Sequence, residues 1–168
     1  MEPSTCCFTG HRQIDPPLLV PLTAQLDATL RALVQMGCLQ FYAGGARGFD
    51  TLAAARTLAL RQEYPAVRLH LLLPCRDQCT GWPAADIARY EDILANCDSY
   101  RYIAERYSPS VMTKRNRALV ANADVCVAFL LREASGAGQT VRAARRAGIT
   151  VLNLADRLPP AAFGNSIP

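Results

Sequence analysis

Phe41-Tyr42-Ala43-Gly44-Gly45-Ala46-Arg47-Gly48-Phe49-Asp50 is an apolar, β-compatible run that breaks into three glycines and then enters the helix-forming stretch Thr51-Leu52-Ala53-Ala54-Ala55-Arg56. Strand, glycine turn, helix is how a chain offers free backbone N–H groups to an anion. Glycine lets the backbone approach a ligand closely, and the helix start adds four unpaired donors and a partial positive charge. Phosphate is the natural guest. The spacing is neither the GxGxxG dinucleotide fingerprint nor a Walker A loop, since no Gly-Lys-Ser/Thr follows, so the motif licenses neither dinucleotide nor nucleoside-triphosphate chemistry. A tight βα turn that binds nothing is the plainer alternative.

Outward from that turn, strands and helices alternate. Thr5-Cys6-Cys7-Phe8-Thr9 is a short β-prone strand ending in Gly10-His11-Arg12. From Pro16 to Met36 leucines recur at three- and four-residue steps, with Gly37 where a helix would stop. The helix after the glycine turn runs to about Glu63, where Tyr64-Pro65 ends it. Val67 to Leu73, interrupted by His70, reads as a strand covered on both faces and closed by Pro74-Cys75-Arg76. Asp77 to Trp82 is a loop, followed by a helix to Cys97 marked by Ile87, Tyr90, Ile93 and Leu94. Ser99 to Ile103 is a short strand candidate that equally suits an exposed edge, and Tyr107-Ser108-Pro109-Ser110 breaks the chain before a helix carrying Met112, Leu119 and Val120 on one face. Ala123 to Leu131 is the strongest buried-strand signal and is expected at the sheet centre. Ser135-Gly136-Ala137-Gly138-Gln139-Thr140 then opens a helix to Ala147, and Thr150 to Leu154 forms a last strand. This order implies an α/β sandwich around a mostly parallel central sheet.

The 168 residues are enough for one domain with a full core, expected over 1–156, with 157–168 as a surface-bound or mobile tail. No apolar run approaches the ~18 residues of a membrane span, and the N-terminus lacks the basic start and apolar stretch of a signal peptide, so a cytoplasmic protein without a membrane partner is expected. Seven cysteines in an ordinary-length domain argue against a disulfide framework. Cys75 and Cys79 are spaced like half a zinc site, but no second pair follows and His11 and His70 stand alone, so no metal is expected. The formal charge is +4, and Lys114 is the one lysine among eighteen basic residues. Arginine favours two-pronged contact with phosphate, although Arg142, Arg145 and Arg146 at helical spacing also make an ordinary solvated face.

Three strands end in turns rich in glycine or small residues: Gly10, Gly44 to Gly48, and Gly136 to Gly138. In an open parallel sheet the strand C-terminal ends line one edge, so all three turns converge on one crevice. That convergence is the argument for a ligand.

With the turns located, the chain resembles the YpsA-like family of the SLOG superfamily, a Rossmann-like group that includes the DNA-processing protein DprA and the cytokinin-activating LOG enzymes. The matching residues are Cys6 to Arg12, Phe41 to Asp50 with Leu52-Ala53, Leu72 to Cys75 followed by Trp82, Met112 with Arg115-Asn116-Arg117, and the helix entered after Ser135-Gly136 and containing Thr140-Val141. The resemblance spans about Thr5 to Leu154. It implies a Rossmann-like three-layer sandwich whose strand ends bind a nucleotide or nucleotide-derived ligand, with no settled reaction. There is one departure. Where the superfamily commonly reads Gly-Gly-Thr, with a catalytic glutamate three residues further on in LOG-type hydrolases, this chain has Ala137 and Thr140, and no Asp or Glu occurs from Ala134 to Ala155. Phosphoribohydrolysis by the LOG route is therefore not expected.

Gly44, Gly45 and Gly48 are the candidate backbone donors for phosphate, with turn geometry alone as the alternative. Arg47 reaches a bound anion or lies in solvent. Asp50 caps or charges a helix start, contacts ligand, or both. Thr9, Gly10, His11 and Arg12 follow a strand end, where His11 either titrates at a ligand or, more commonly for a turn histidine, does not. Pro74 enters through the resemblance. Trp82 stacks on a base or closes a local apolar cluster. Arg115 and Asn116 hold phosphate or ribose, or face solvent. Ser135, Gly136, Gly138 and Thr140 make a second phosphate or ribose contact, or Ser135 and Gln139 merely cap the helix. No catalytic residue, cofactor or metal is assigned. The leading expectation is a binding module that senses or sequesters a nucleotide. A nucleoside-phosphate N-glycosidase using Asp50, Asp86 or Glu91 is one alternative, and single-stranded DNA binding in the manner of DprA is another. Pairing of two copies through helices stays open.

Overall fold

Strands that are apolar at almost every position are stable only with a covering layer on each face, and that requirement sets the architecture. The computed structural model describes residues 2–164. In chain order the elements are β1 (Thr5–Gly10), α1 (Pro16–Gln35), β2 (Gln40–Ala43), α2 (Phe49–Leu60), β3 (Arg68–Cys75), α3 (Ala84–Asn96), β4 (Ser99–Ala104), α4 (Val111–Ala121), β5 (Val125–Phe129), α5 (Gly136–Arg146) and β6 (Thr150–Asn153). The strands lie in the order β4-β3-β2-β1-β5-β6, and every neighbouring pair is parallel. Side chains alternate along each strand. Phe8, Phe41, Leu71, Leu73 and Val127 join the leucines of α1 and the buried faces of α2 and α3 in the main core, while Cys7, Leu72 and Cys126 pack with Leu119, Val120 and Ala144 of α4 and α5 on the other side. The result is the three-layer Rossmann-like sandwich the sequence implies, with a wholly parallel sheet among the described residues.

One placement differs. β5 is buried at all five positions, yet it lies one strand in from the β6 edge, and β1 and β2 hold the centre. A continuous apolar run reports that both faces are covered, not where the strand ranks in the sheet. β4 is the opposite edge and is exposed over Ser99 to Arg101. Beyond β6 the chain makes 3-10 turns at Leu154–Arg157 and Pro160–Phe163 that lie against α1, with Leu154 and Leu158 buried. Residues 165–168 of the expected tail lie outside the described residues.

All seven cysteines are free. Burial raises the pKa of Cys38 to about 12 and of Cys75 to about 11, which keeps both as thiols. Among the described residues no helix is long and apolar enough to cross a membrane, and no three metal-capable side chains are grouped.

From β1 the chain works outward through β2, β3 and β4, then returns to place β5 on the other side of β1. The loops leaving β1 and β5 therefore diverge onto opposite faces, and the sheet opens a crevice between their C-terminal ends.

Candidate functional site

That crevice is a cleft of about 340 Å³ between the loops after β1, β2 and β5 and the start of α4. A larger hollow of about 760 Å³, around Met36, Ala123 and Ile149, lies at the N-terminal ends of the strands and receives none of these loops. Thr9, Gly10, His11 and Arg12 line the cleft from β1, Arg115 and Asn116 from α4, and Ser135 and Gly136 from the β5–α5 turn.

His11 fixes the floor. It is buried, and its Nε2 accepts the backbone N–H groups of Leu131 (2.8 Å) and Arg132 (3.2 Å). An accepting Nε2 requires the neutral ring with its proton on Nδ1. Burial, reinforced by the Arg132 charge, holds its pKa below the ordinary imidazole value. The same residue's carbonyl accepts the Phe49 N–H at 3.0 Å, joining the β1 loop to the head of α2. Gly48 sits on this junction at φ 74°, and a Cβ there would collide with the carbonyls of Arg12 and His11.

The glycine turn after β2 therefore faces the protein. A Cβ on Gly44 would strike the Arg115 guanidinium, which donates to the Gly44 carbonyl, while Arg115 Nε donates to Asn116 Oδ1 at 2.8 Å. A Cβ on Gly45 would strike Leu73. The Ala46 N–H, 3.3 Å from Asp50 Oδ2, is answered by the chain's own carboxylate. Asp50 is the second residue of α2 and only 5% exposed. Desolvation raises its pKa, against the opposing pull of Arg115, and desolvation likewise lowers that of the buried Arg115. Ala46 and Asp50 line the cleft; Gly44, Gly45 and Gly48 lie behind its wall.

The turn after β5 is built the other way. Ser135 is the N-cap of α5, its Oγ accepting the Gly138 N–H at 3.0 Å and donating to the Arg132 carbonyl at 2.7 Å. Apart from its chain neighbours and the backbone of its own helix, no heavy atom lies within 4 Å of where a Cβ on Gly136 would stand. The N–H groups of Gly136 and Ala137, in the first turn, have no partner within the helix. Gly138 closes on the Glu133 carbonyl, and Thr140 is buried with its Oγ1 donating to the Gly136 carbonyl at 3.2 Å, so neither reaches the cleft. Arg12 and Arg132 are exposed at the rim.

Arg47 is held by Asp86 at 2.9 Å beside the cleft, and Pro74 is buried at the end of β3. Trp82 packs edge-on to Tyr90 at 5.8 Å and borders a smaller hollow adjoining the cleft. The sequence reading missed Ala46, Met112, Thr113, Arg132, Ala137 and Gln139 as lining residues. For Arg132 the available signal was its place directly after a strand's C-terminal end.

Residues 7–147 match the model of a family described as YpsA, the YspA SLOG family. A UPF0398 protein of Bacillus pumilus is 30% identical over 124 residues, covering 73% of this chain and 67% of that one. Another, from Bacillus thuringiensis, is 27% identical over 137 residues, covering 80% and 74%. Among solved structures, the DNA processing protein A of Helicobacter pylori, for which a single-stranded DNA binding mode is described, matches with a TM-score of 0.64 at 21% identity, over 88% of this chain and 63% of that one. DNA processing protein A of Streptococcus pneumoniae matches at 0.62 and 15% identity, over 95% and 54%. This chain thus spans less than two thirds of either solved chain, and the likeness is one of fold.

Proposed function

The chain belongs to the YspA SLOG family, and from that premise we propose that its cleft binds the phosphate of a nucleotide or nucleotide-derived ligand, which the protein senses or sequesters. The observation that carries this reading is the first turn of α5, open at Gly136 and facing the same cleft as the exposed Arg12 and Arg132. A helix N-terminus and two guanidinium groups are donors of the kind that an anion satisfies. The relation to DNA processing protein A supports a nucleotide-like guest.

A thermal-shift panel of mono-, di- and cyclic nucleotides and NAD-related compounds tests it. A ligand at a hundred times its Kd stabilises by about 2.7 kcal/mol, a rise of several degrees in Tm. Gly136→Asp puts a carboxylate where the anion would sit, in open space and in a helix first turn that favours acids, so the unliganded Tm holds while the ligand shift disappears. No stabiliser at millimolar concentrations overturns the reading. Single-stranded DNA binding would instead show affinity for a labelled oligonucleotide that falls steeply with salt.

Asp50 favours a second reading, cleavage of a nucleoside-phosphate N-glycosidic bond. Of the three carboxylates the sequence offers, Asp86 is engaged by Arg47 and Glu91 is exposed on α3; Asp50 alone lines the cleft, where burial raises its pKa. Release of free base, lost in Asp50→Asn, is the expected signature, and inactivity on every nucleoside monophosphate removes it.

A further inference from the structure

The cleft continues into an annex. Past Arg12, Ala46 and Met112, which border both spaces, a second hollow of about 160 Å³ opens beneath the loops after β3 and β4. Its remaining wall includes two aromatic residues and an amide: Trp82, Tyr107 and Gln78. Trp82 is half-buried and steadied by Tyr90, whereas Tyr107 is 63% exposed. The loops that carry them are tied together, with the Tyr107 N–H donating to Asp77 Oδ1 at 3.1 Å and Arg76 paired with Glu105 at 2.8 Å. Gln78 Nε2 and Tyr90 Oη are buried behind this wall.

We propose that this annex is a base-binding subsite, in which the planar base of a nucleoside 5′-monophosphate lies against Trp82 and Tyr107, while the phosphate occupies the α5 end of the cleft. The inference rests on the phosphate reading above and names the ligand class: a nucleotide, in preference to a sugar phosphate or inorganic phosphate. The size is right, because a cavity of about 150 Å³ admits a benzene ring. So is the chemistry, because aromatic side chains stack on any base. Arg12 borders both spaces and so stands where the ribose would join base to phosphate.

Trp82 is the only tryptophan, so intrinsic emission reports on the annex. The full chain is titrated with adenosine, guanosine, cytidine and uridine 5′-monophosphates, with ribose 5-phosphate and with inorganic phosphate, following both emission and Tm. At least one nucleotide is expected to change the emission saturably and raise Tm, while ribose 5-phosphate raises Tm and leaves the emission unchanged. Trp82→Leu should weaken that nucleotide roughly tenfold and leave ribose 5-phosphate binding as it was. Tyr107→Ala, at an exposed position, should give the same selective loss and serves if Trp82→Leu does not fold. Nucleotide and ribose 5-phosphate binding equally well with unchanged emission, or a variant that weakens both alike, overturns the annex and leaves the phosphate site standing. No binding by any of them overturns both.

Discussion

Two turns leave the sheet toward one cleft and use their glycines in opposite directions. After β2, Gly44 backs onto Arg115, Gly45 onto Leu73 and Gly48 onto the Arg12 carbonyl, and the one amide of that turn that lines the cleft, Ala46, is taken by Asp50. After β5, Gly138 is packed in the same manner, but Gly136 faces open space and Ser135 leaves the first two amides of α5 uncapped. A cluster of glycines marks where something comes close to the backbone. Whether that something is a guest or the protein itself depends on the side chains packed behind, here a buried arginine and a buried carboxylate.

The largest test of this contrast is Arg115→Ala. It takes from buried Asp50 the larger of the two charges that oppose its desolvation and from the Gly44 carbonyl its donor, a loss of about 4 kcal/mol in urea unfolding. Lysine at the same position keeps the charge but loses the forked geometry, and should recover only part. A variant as stable as the parent would mean that the β2 turn does not depend on this ion. Next come paired alanine substitutions. Gly48→Ala meets both a left-handed backbone and the Arg12 carbonyl and should cost about 3 kcal/mol, whereas Gly136→Ala should stay within about 0.5 kcal/mol of the parent. Equal costs would erase the distinction between the two turns.

The smallest effect is a pH dependence. With its pKa held low in the folded protein, His11 binds fewer protons there than in the unfolded chain at pH values below about 6.5. Its contribution is complete above that point and lost as pH falls through the window, because a protonated ring no longer accepts the Leu131 and Arg132 amides. His70, also shifted down by burial, adds a slope of the same sign. Tm followed from pH 7.5 to 5.0 should decline, less steeply in His11→Gln; identical slopes would show that His11 does not join the two turns.

The layer order and the covered strands were legible because apolar runs and leucine spacing report coverage, whereas β4, exposed over Ser99 to Arg101, gave only an ambiguous strand signal. The position of β5 was not, since rank in the sheet is set by where the crossovers travel, and Val125 to Phe129 read alike at the centre or one strand from the edge. The meeting of Gly10 and Gly136 was legible from strand ends alone. The inward use of Gly44 and Gly45 was not, because it depends on contacts with Arg115 and Leu73, distant in sequence, and Arg115 reads there as a ligand or solvent contact rather than as a partner for a carbonyl. Arg132 was hidden among many similar residues by a composition that offers arginine almost everywhere a cation is needed.

The bond from the Phe49 N–H to the His11 carbonyl, with Gly48 seated on Arg12, carries a mechanical consequence. The strap after the first strand and the head of the second helix are riveted together, so neither shifts without dragging its neighbour. Any displacement of the main chain at Arg12 therefore reaches the mounting of Asp50, the residue next to Phe49.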